Sequence, residues 1–294
     1  MFDRMRNISR EWLYAGFLLI TLLPLLFPIP FPVKVSQTTQ SLYNTIESLK
    51  PGDVVLYSAE FSADMSAELY PGFVDVFEHM MRKPGVKVIL IAVDSTDGPM
   101  FIQKMLDSTN LHGKQYGVDI ANFGYVAGGE SSIAALCQDF QKTFPRDYYG
   151  TEISKLPVAQ NLRKITDFAL VINDTAGGLG PVGWIRQANA AFRVKVATIL
   201  GQDMALSALP YIGSGQLVGL LAGLRGAAEY ERLSGTVGRG TAGMGAQSTA
   251  ALYMMALLII ANVGYWGSKM SKKNRSGPGI ERQATSSDKG GASL

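Results

Sequence analysis

Apolar and polar positions fall into blocks along this chain. Residues 12–33 run 22 positions without a charge (WLYAGFLLITLLPLLFPIPFPV), and residues 248–267 run 20 (STAALYMMALLIIANVGYWG). A bilayer span needs about 20 predominantly apolar residues, so both stretches predict transmembrane helices. Trp12 and Tyr14 open the first, and Tyr265 and Trp266 close the second, as interfacial aromatic belts require. Pro24, Pro28, Pro30 and Pro32 end the first helix near Phe27 and leave a stiff extended stalk. That run exceeds a signal-peptide core of about 7–15 residues, and no small-residue cleavage site follows it. It therefore reads as an uncleaved anchor.

Between the two runs the pattern changes. Short β-branched segments alternate with stretches of helical periodicity. Segments 53–61, 86–94, 116–126, 168–174 and 194–200 predict five strands. Helices are expected at 65–83, with an irregularity at Pro71 and Gly72, and at 98–109, 131–144, 157–166 and 181–192. A short helix over 36–50 precedes them, with Leu42, Ile46 and Leu49 on one face. The strands carry apolar residues at consecutive positions, as expected when a parallel sheet is covered on both sides. The predicted class is α/β: a doubly wound, mainly parallel, five-stranded, Rossmann-like sheet flanked by two transmembrane helices.

A third charge-free run, 204–224, carries Pro210, Gly213, Ser214, Gly215 and Gln216 at its centre. Such turn chemistry is misplaced mid-membrane. The run reads as a buried helix, a turn at 211–215 and a second helix over 216–233. A re-entrant span is the alternative.

Composition sharpens this division. The chain is 47% hydrophobic and 17% charged, against about 25% charged in ordinary soluble domains. The two charge-free runs, together with the apolar 204–224 segment, account for most of the deficit. Residues 1–11 carry a net +1, residues 267–294 a net +4, and residues 12–266 a net −2. Basic residues flank the outer ends of both spans. The positive-inside rule therefore places both termini in the cytoplasm and the middle domain outside it. The expected division is a cytoplasmic N-terminus (1–11), an anchor and stalk (12–33), an extracytoplasmic domain (38–234), a glycine-rich flexible linker (235–247), a second span (248–267) and a basic cytoplasmic tail (268–294). Because the positive charge lies at the ends, it makes no case for nucleic-acid binding.

One Cys and two His exclude a disulfide scaffold and a Cys/His zinc site. Cys137 and His79 read as structural, and His112 as a solvent-exposed loop residue. In open α/β sheets, ligands bind beyond the carboxyl ends of the strands. Those ends carry Ser58, Glu60, Asp94, Ser95, Thr96, Asp97, Gly128, Gly129, Glu130, Ser131, Asn173, Asp174, Thr175, Gln202 and Asp203. This acidic, hydroxyl-rich rim suits a polar ligand or a divalent cation, with Asp94 and Asp174 as metal candidates. Helix N-capping explains many of the same residues individually.

Gly178, Gly180 and Gly183 form a G-x-G-x-x-G, with Asp203 twenty residues further on. The glycines start too late after the strand for a dinucleotide turn, and Pro181 lacks the amide such a turn presents. A DxxG at 174–177 has no accompanying P-loop. No G-x-S-x-G is present.

Gly219, Gly223 and Ala227 form a small-residue face at four-residue spacing, and Gly243 and Gly245 adjoin the second apolar run. Such faces allow close approach of another helix, from the same chain or another subunit. The leading expectation is a non-catalytic, membrane-anchored assembly or partner-binding subunit. Its partners would be the lipid bilayer and a second copy or another membrane protein. The alternatives are an extracytoplasmic hydrolase and a binder of metals or polar ligands, both using the rim.

Overall fold

The computed structural model describes residues 9–28 and 33–275. Arg4 and Arg6, most of the Pro-rich stalk (29–32) and the tail beyond residue 275 lie outside the described residues. The chain divides into two compact units, Thr21–Ser248 and Met1–Ile20 with Thr249–Leu294.

The larger unit is built on a six-stranded sheet: β1 (Val54–Glu60), β2 (Lys87–Ala92), β3 (Ile120–Tyr125), β4 (Leu170–Thr175), β5 (Val196–Leu200) and β6 (Gly219–Ala222). The order is β3-β2-β1-β4-β5-β6, and every pairing is parallel. Alternate residues of each strand feed two separate cores. Val55, Tyr57 and Ala59 point to one face, and Val54 and Leu56 to the other.

The first face is covered by α2 (Gln37–Glu47), α3 (Ser66–Arg82), α4 (Gly98–Ser108) and α9 (Gly223–Ser234). Helix α3 buries Leu69, Tyr70, Phe73, Val76, Phe77 and Met80, the spacing of one helical stripe. The second face is covered by α5 (Glu130–Gln138), α6 (Phe140–Thr143), α7 (Gly180–Trp184), α8 (Ala205–Gly213) and the segment between α6 and β4. Helix α7 passes into a π-helical stretch, Ile185–Ala190.

The five expected strands all form, within narrower bounds, and a sixth appears. Residues 219–222 are strand β6 rather than the start of a helix. The stretch LVGLLAG is short and apolar throughout, so periodicity alone does not separate the two states. Pairing with β5 decides it. Gly219 also admits α2, since a Cβ there would sit 2.5 Å from the Leu42 Cα.

Three helices differ from expectation. Helix α3 runs through Pro71 without a break. Gly72 beneath it lies so close to Leu221 and Ile199 that packing holds the turn despite the missing N–H. The 131–144 helix divides at Asp139, which leaves helical geometry and accepts the Lys142 N–H at 3.0 Å. Segment 157–166 forms turns, because Asp167 accepts the Arg163 and Lys164 amides at 2.7 and 2.9 Å.

The smaller unit pairs two helices. They are the part of α1 (Arg10–Leu26) up to Ile20 and the part of α10 (Arg239–Arg275) beyond Ser248. One helix, Arg239–Gly267, is long and apolar enough to cross a membrane, and only 6% of its apolar window is buried. Helix α1 has 17 described residues. Helix α10 already begins at Arg239, so most of the expected flexible linker is helical.

Candidate functional site

The strand order reverses between β1 and β4, and this is where a doubly wound sheet opens its ligand crevice. Two loops meet there. The turn after β1 reads Phe61-Ser62-Ala63-Asp64, with no glycine. The glycine-rich stretch follows β4 instead. A dinucleotide cradle belongs on the first βα turn, so the G-x-G-x-x-G is on the wrong strand for that role.

Polar residues interrupt the central strands at one level. Ser58 of β1 is in register with Asn173 of β4, and Asn173 with Thr198 of β5. All three are fully buried. Two residues beyond Ser58 lies Glu60, 2% exposed and on the same face. Glu60 Oε1 accepts hydrogen bonds from Ser58 Oγ at 2.5 Å and from Trp184 Nε1 at 2.8 Å. Burial pushes the Glu60 carboxyl up to about 7; the Ser58 and Trp184 hydrogen bonds oppose the shift, and the charge of Asp94 adds to it. The carboxyl therefore exchanges its proton near neutrality.

Asp174 points to the opposite face and is fully buried. Its two oxygens have no hydrogen-bond partner among the described residues. Burial raises its carboxyl well above the ordinary range, with a further push from Glu60.

The rest of the rim does not converge. Asp94 is exposed and lies against Gly177, where a Cβ would collide with its carboxylate. Asp97 accepts the Ala63 N–H at 3.0 Å. Glu130 is held by Arg186 at 2.8 Å and Gln187 at 3.0 Å. Ser131 and Asp203 are exposed. Among the described residues no group of three or more Asp, Glu, His or Cys is gathered to hold a metal ion. The expected divalent site on Asp94 and Asp174 is therefore not assembled. Cys137 is buried, and burial pushes its thiol up to about 12, as an inert core thiol requires. His79 is buried between Tyr230 (2.6 Å) and Glu47 (2.8 Å), and desolvation lowers it despite Glu47.

The small-residue faces have partners within the chain. Gly240 of α10 approaches α9 so closely that a Cβ would lie 2.6 Å from the Ala227 Cβ. Gly243 packs on Leu224, Gly245 is buried, and Gly223 adopts a positive φ of 51° beside Glu68 and Gln202. The foot of α10 is capped from α9. Buried Glu231 accepts the amides of Gly238 (2.9 Å), Gly240 (2.6 Å) and Thr241 (2.9 Å). Asp75 of α3 contacts Glu231; burial and that neighbouring charge raise its carboxyl well above the usual range. Arg239 lies over the Tyr70 ring at 5.3 Å.

Within the helix pair, Pro24 lacks the N–H that would bond to the Ile20 carbonyl four residues back. Thr249 Oγ1 donates to that carbonyl at 3.0 Å. Tyr253 donates from its hydroxyl to the Leu13 carbonyl at 2.9 Å and covers Gly16. The contacts run in opposite directions along the two helices, so they are antiparallel. Large apolar side chains, among them Leu18, Leu19, Leu258 and Ile259, are exposed on the pair.

Sequence reasoning missed Trp184, Thr198, Asp75, Glu231 and Thr249. A signal existed for Thr198: it is polar in the middle of a strand expected to be buried on both faces. Fold and site define a doubly wound, Rossmann-like α/β domain with a buried polar row at its switch point. No family model matches the chain, and no curated protein matches it in sequence.

Proposed function

We propose that this chain is a membrane-anchored subunit whose α/β domain serves assembly or partner binding rather than catalysis. The helix pair carries the reading. Hydrocarbon offers no water to a carbonyl freed by proline, so a spanning helix must satisfy it from within the protein. Thr249 does this for Ile20, while the outward surface stays apolar. An antiparallel pair also fits both termini on one side, the orientation favoured by the flanking basic residues.

The rim supports a catalytic role less well. Glu130 is neutralised by Arg186, Asp97 serves a backbone amide, and Asp174 is sealed in the core. The full chain in mild detergent should run as a discrete assembly above its own 31.7 kDa of protein. A strict monomer that captures no partner contradicts the reading. For the hydrolase alternative, a thermal shift with millimolar Mg²⁺, Mn²⁺ or Ca²⁺, lost in Asp94→Ala, is the result that would revive it.

A further inference from the structure

Leu206 and Leu209 lie one turn apart on α8 and are 77% and 44% exposed. Among the described residues from 33 to 247, no other Leu, Ile, Phe or Trp side chain is exposed. Helix α8 carries no charge. The two leucines border a groove of about 230 Å³ beside the edge strand β6, lined also by Gln202, Leu220, Ala222 and Arg225. An apolar helix face beside an open groove marks a contact surface.

Chain connectivity names the occupant. Gly240 of α10 lies against Ala227 of α9, and Gly243 against Leu224. The foot of α10 thus climbs α9 toward Gly223, at the carboxyl end of β6. Ser248, where the second apolar run begins, is five residues past Gly243, about 7.5 Å of helix. Ser36, which lines the same groove, follows Leu26 of α1 by ten residues, at most about 36 Å of chain. Both tethers leave the larger unit near the groove. A bilayer that receives them is presented to α8 at high effective concentration, whatever other partner is present.

The charges agree. Arg225 donates from Nε to buried Glu229 at 3.0 Å, and its side chain stays 60% exposed at the groove. A guanidinium matches the oxygens of a lipid phosphate. Asp94 and Asp97 follow β2, and β1, β4 and β5 separate them from β6, about 19 Å across the sheet. We infer that α8 rests on the bilayer surface, with Leu206 and Leu209 among the lipids and Arg225 against their phosphates. The inference rests on the membrane-anchored reading and adds to it a lipid contact made by the α/β domain itself. The leucines reach the boundary between headgroups and acyl chains, about 5–10 Å deep. Asp203, ahead of the helix, stays in water.

The test uses the full chain in phosphatidylcholine vesicles that contain a nitroxide lipid, with the nitroxide either near the headgroup or deep in the acyl chain. A maleimide fluorophore is placed singly by Leu206→Cys, Leu258→Cys or Lys50→Cys; the native Cys137 is buried. Leu258 reports on the span, and exposed Lys50 on the opposite, amino edge of the sheet. The expected result is loss of emission at Leu206 with the shallow nitroxide and at Leu258 with the deep one, and none at Lys50. Quenching at Leu258 with Leu206 no more affected than Lys50 overturns the lipid contact and leaves the anchored reading standing. No quenching at Leu258 overturns both. A Leu206 signal that follows protein concentration in detergent and ignores the nitroxide assigns the face to a second copy, and overturns the inference. Leu209→Cys gives the same readout from the next turn if the Leu206 label disturbs the fold.

Discussion

Half-buried Asp75 contacts fully buried Glu231 beneath α10. Glu78 adds repulsion toward Asp75, and Arg239 opposes it. Glu231 accepts three amides, and Asp75 is the acid of the two whose carboxyl is raised toward the protonated form. Its folded value is raised above the ordinary 3.8. Its contribution to stability is therefore full below that value and is lost as pH rises through the raised one. Asp75→Asn keeps a donor toward Glu231 and cannot ionise. Its urea midpoint should exceed the parent's at about pH 8, with the gap closing toward about pH 4. A gap independent of pH contradicts this. Glu231→Gln should instead destabilise by roughly 1–3 kcal/mol, since both carboxylate oxygens accept backbone amides and one becomes a donor. Denaturant melts of the two variants separate the roles.

Single residues show how much of the site was legible. Glu60 and Asp174 were placed at strand ends, and strand ends they occupy. That they lie on opposite faces follows from strand alternation once β1 and β4 pair in register, which needs the topology. Trp184 reaches Glu60 across 124 residues of chain, and no local pattern announces that. The row Ser58, Asn173 and Thr198 was visible as three polar interruptions of apolar strands. Its alignment depended on strand order, which the pattern did not determine.

At the scale of elements, five strands were legible because each is a short, largely apolar run bounded by turn residues, and most are rich in β-branched side chains. The sixth was not, because glycine and leucine in LVGLLAG favour neither state and tertiary pairing decides. The glycine-rich linker reads locally as a hinge. Close packing on α9 and the Glu231 cap make it a helix. Gly240→Val should separate α10 from α9, because even a Cβ collides with Ala227; a loss of about 1–3 kcal/mol follows from overpacking. Thermal melts check this, and an unchanged midpoint refutes the contact. The pairing of α1 with α10 offers a sharper test. Thr249→Val should cost about 1 kcal/mol in the parent chain, typical of an interhelical hydrogen bond. In a Pro24→Ala background the restored N–H satisfies Ile20, and the same change should cost little. Equal costs in both backgrounds would mean that Thr249 does not serve the proline-freed carbonyl.

On the scale of the whole molecule, the low charge and basic balance describe different parts of the chain. The larger unit is a near-neutral doubly wound domain. The apolar surface belongs to the helix pair, and positive charge flanks it in sequence. A bilayer would cover that surface, and the charge would set its direction. Site-directed labelling suits this protein, because its one native cysteine, Cys137, is buried and its thiol is held in the unreactive form. Asp203→Cys introduces a thiol on the exposed rim of the domain, and Ser286→Cys one in the C-terminal tail. With intact cells and a membrane-impermeant maleimide, Asp203→Cys should label directly. Ser286→Cys should label only after permeabilisation. Labelling of both in intact cells, or of the tail alone, contradicts the two-span anchor with an outward-facing domain.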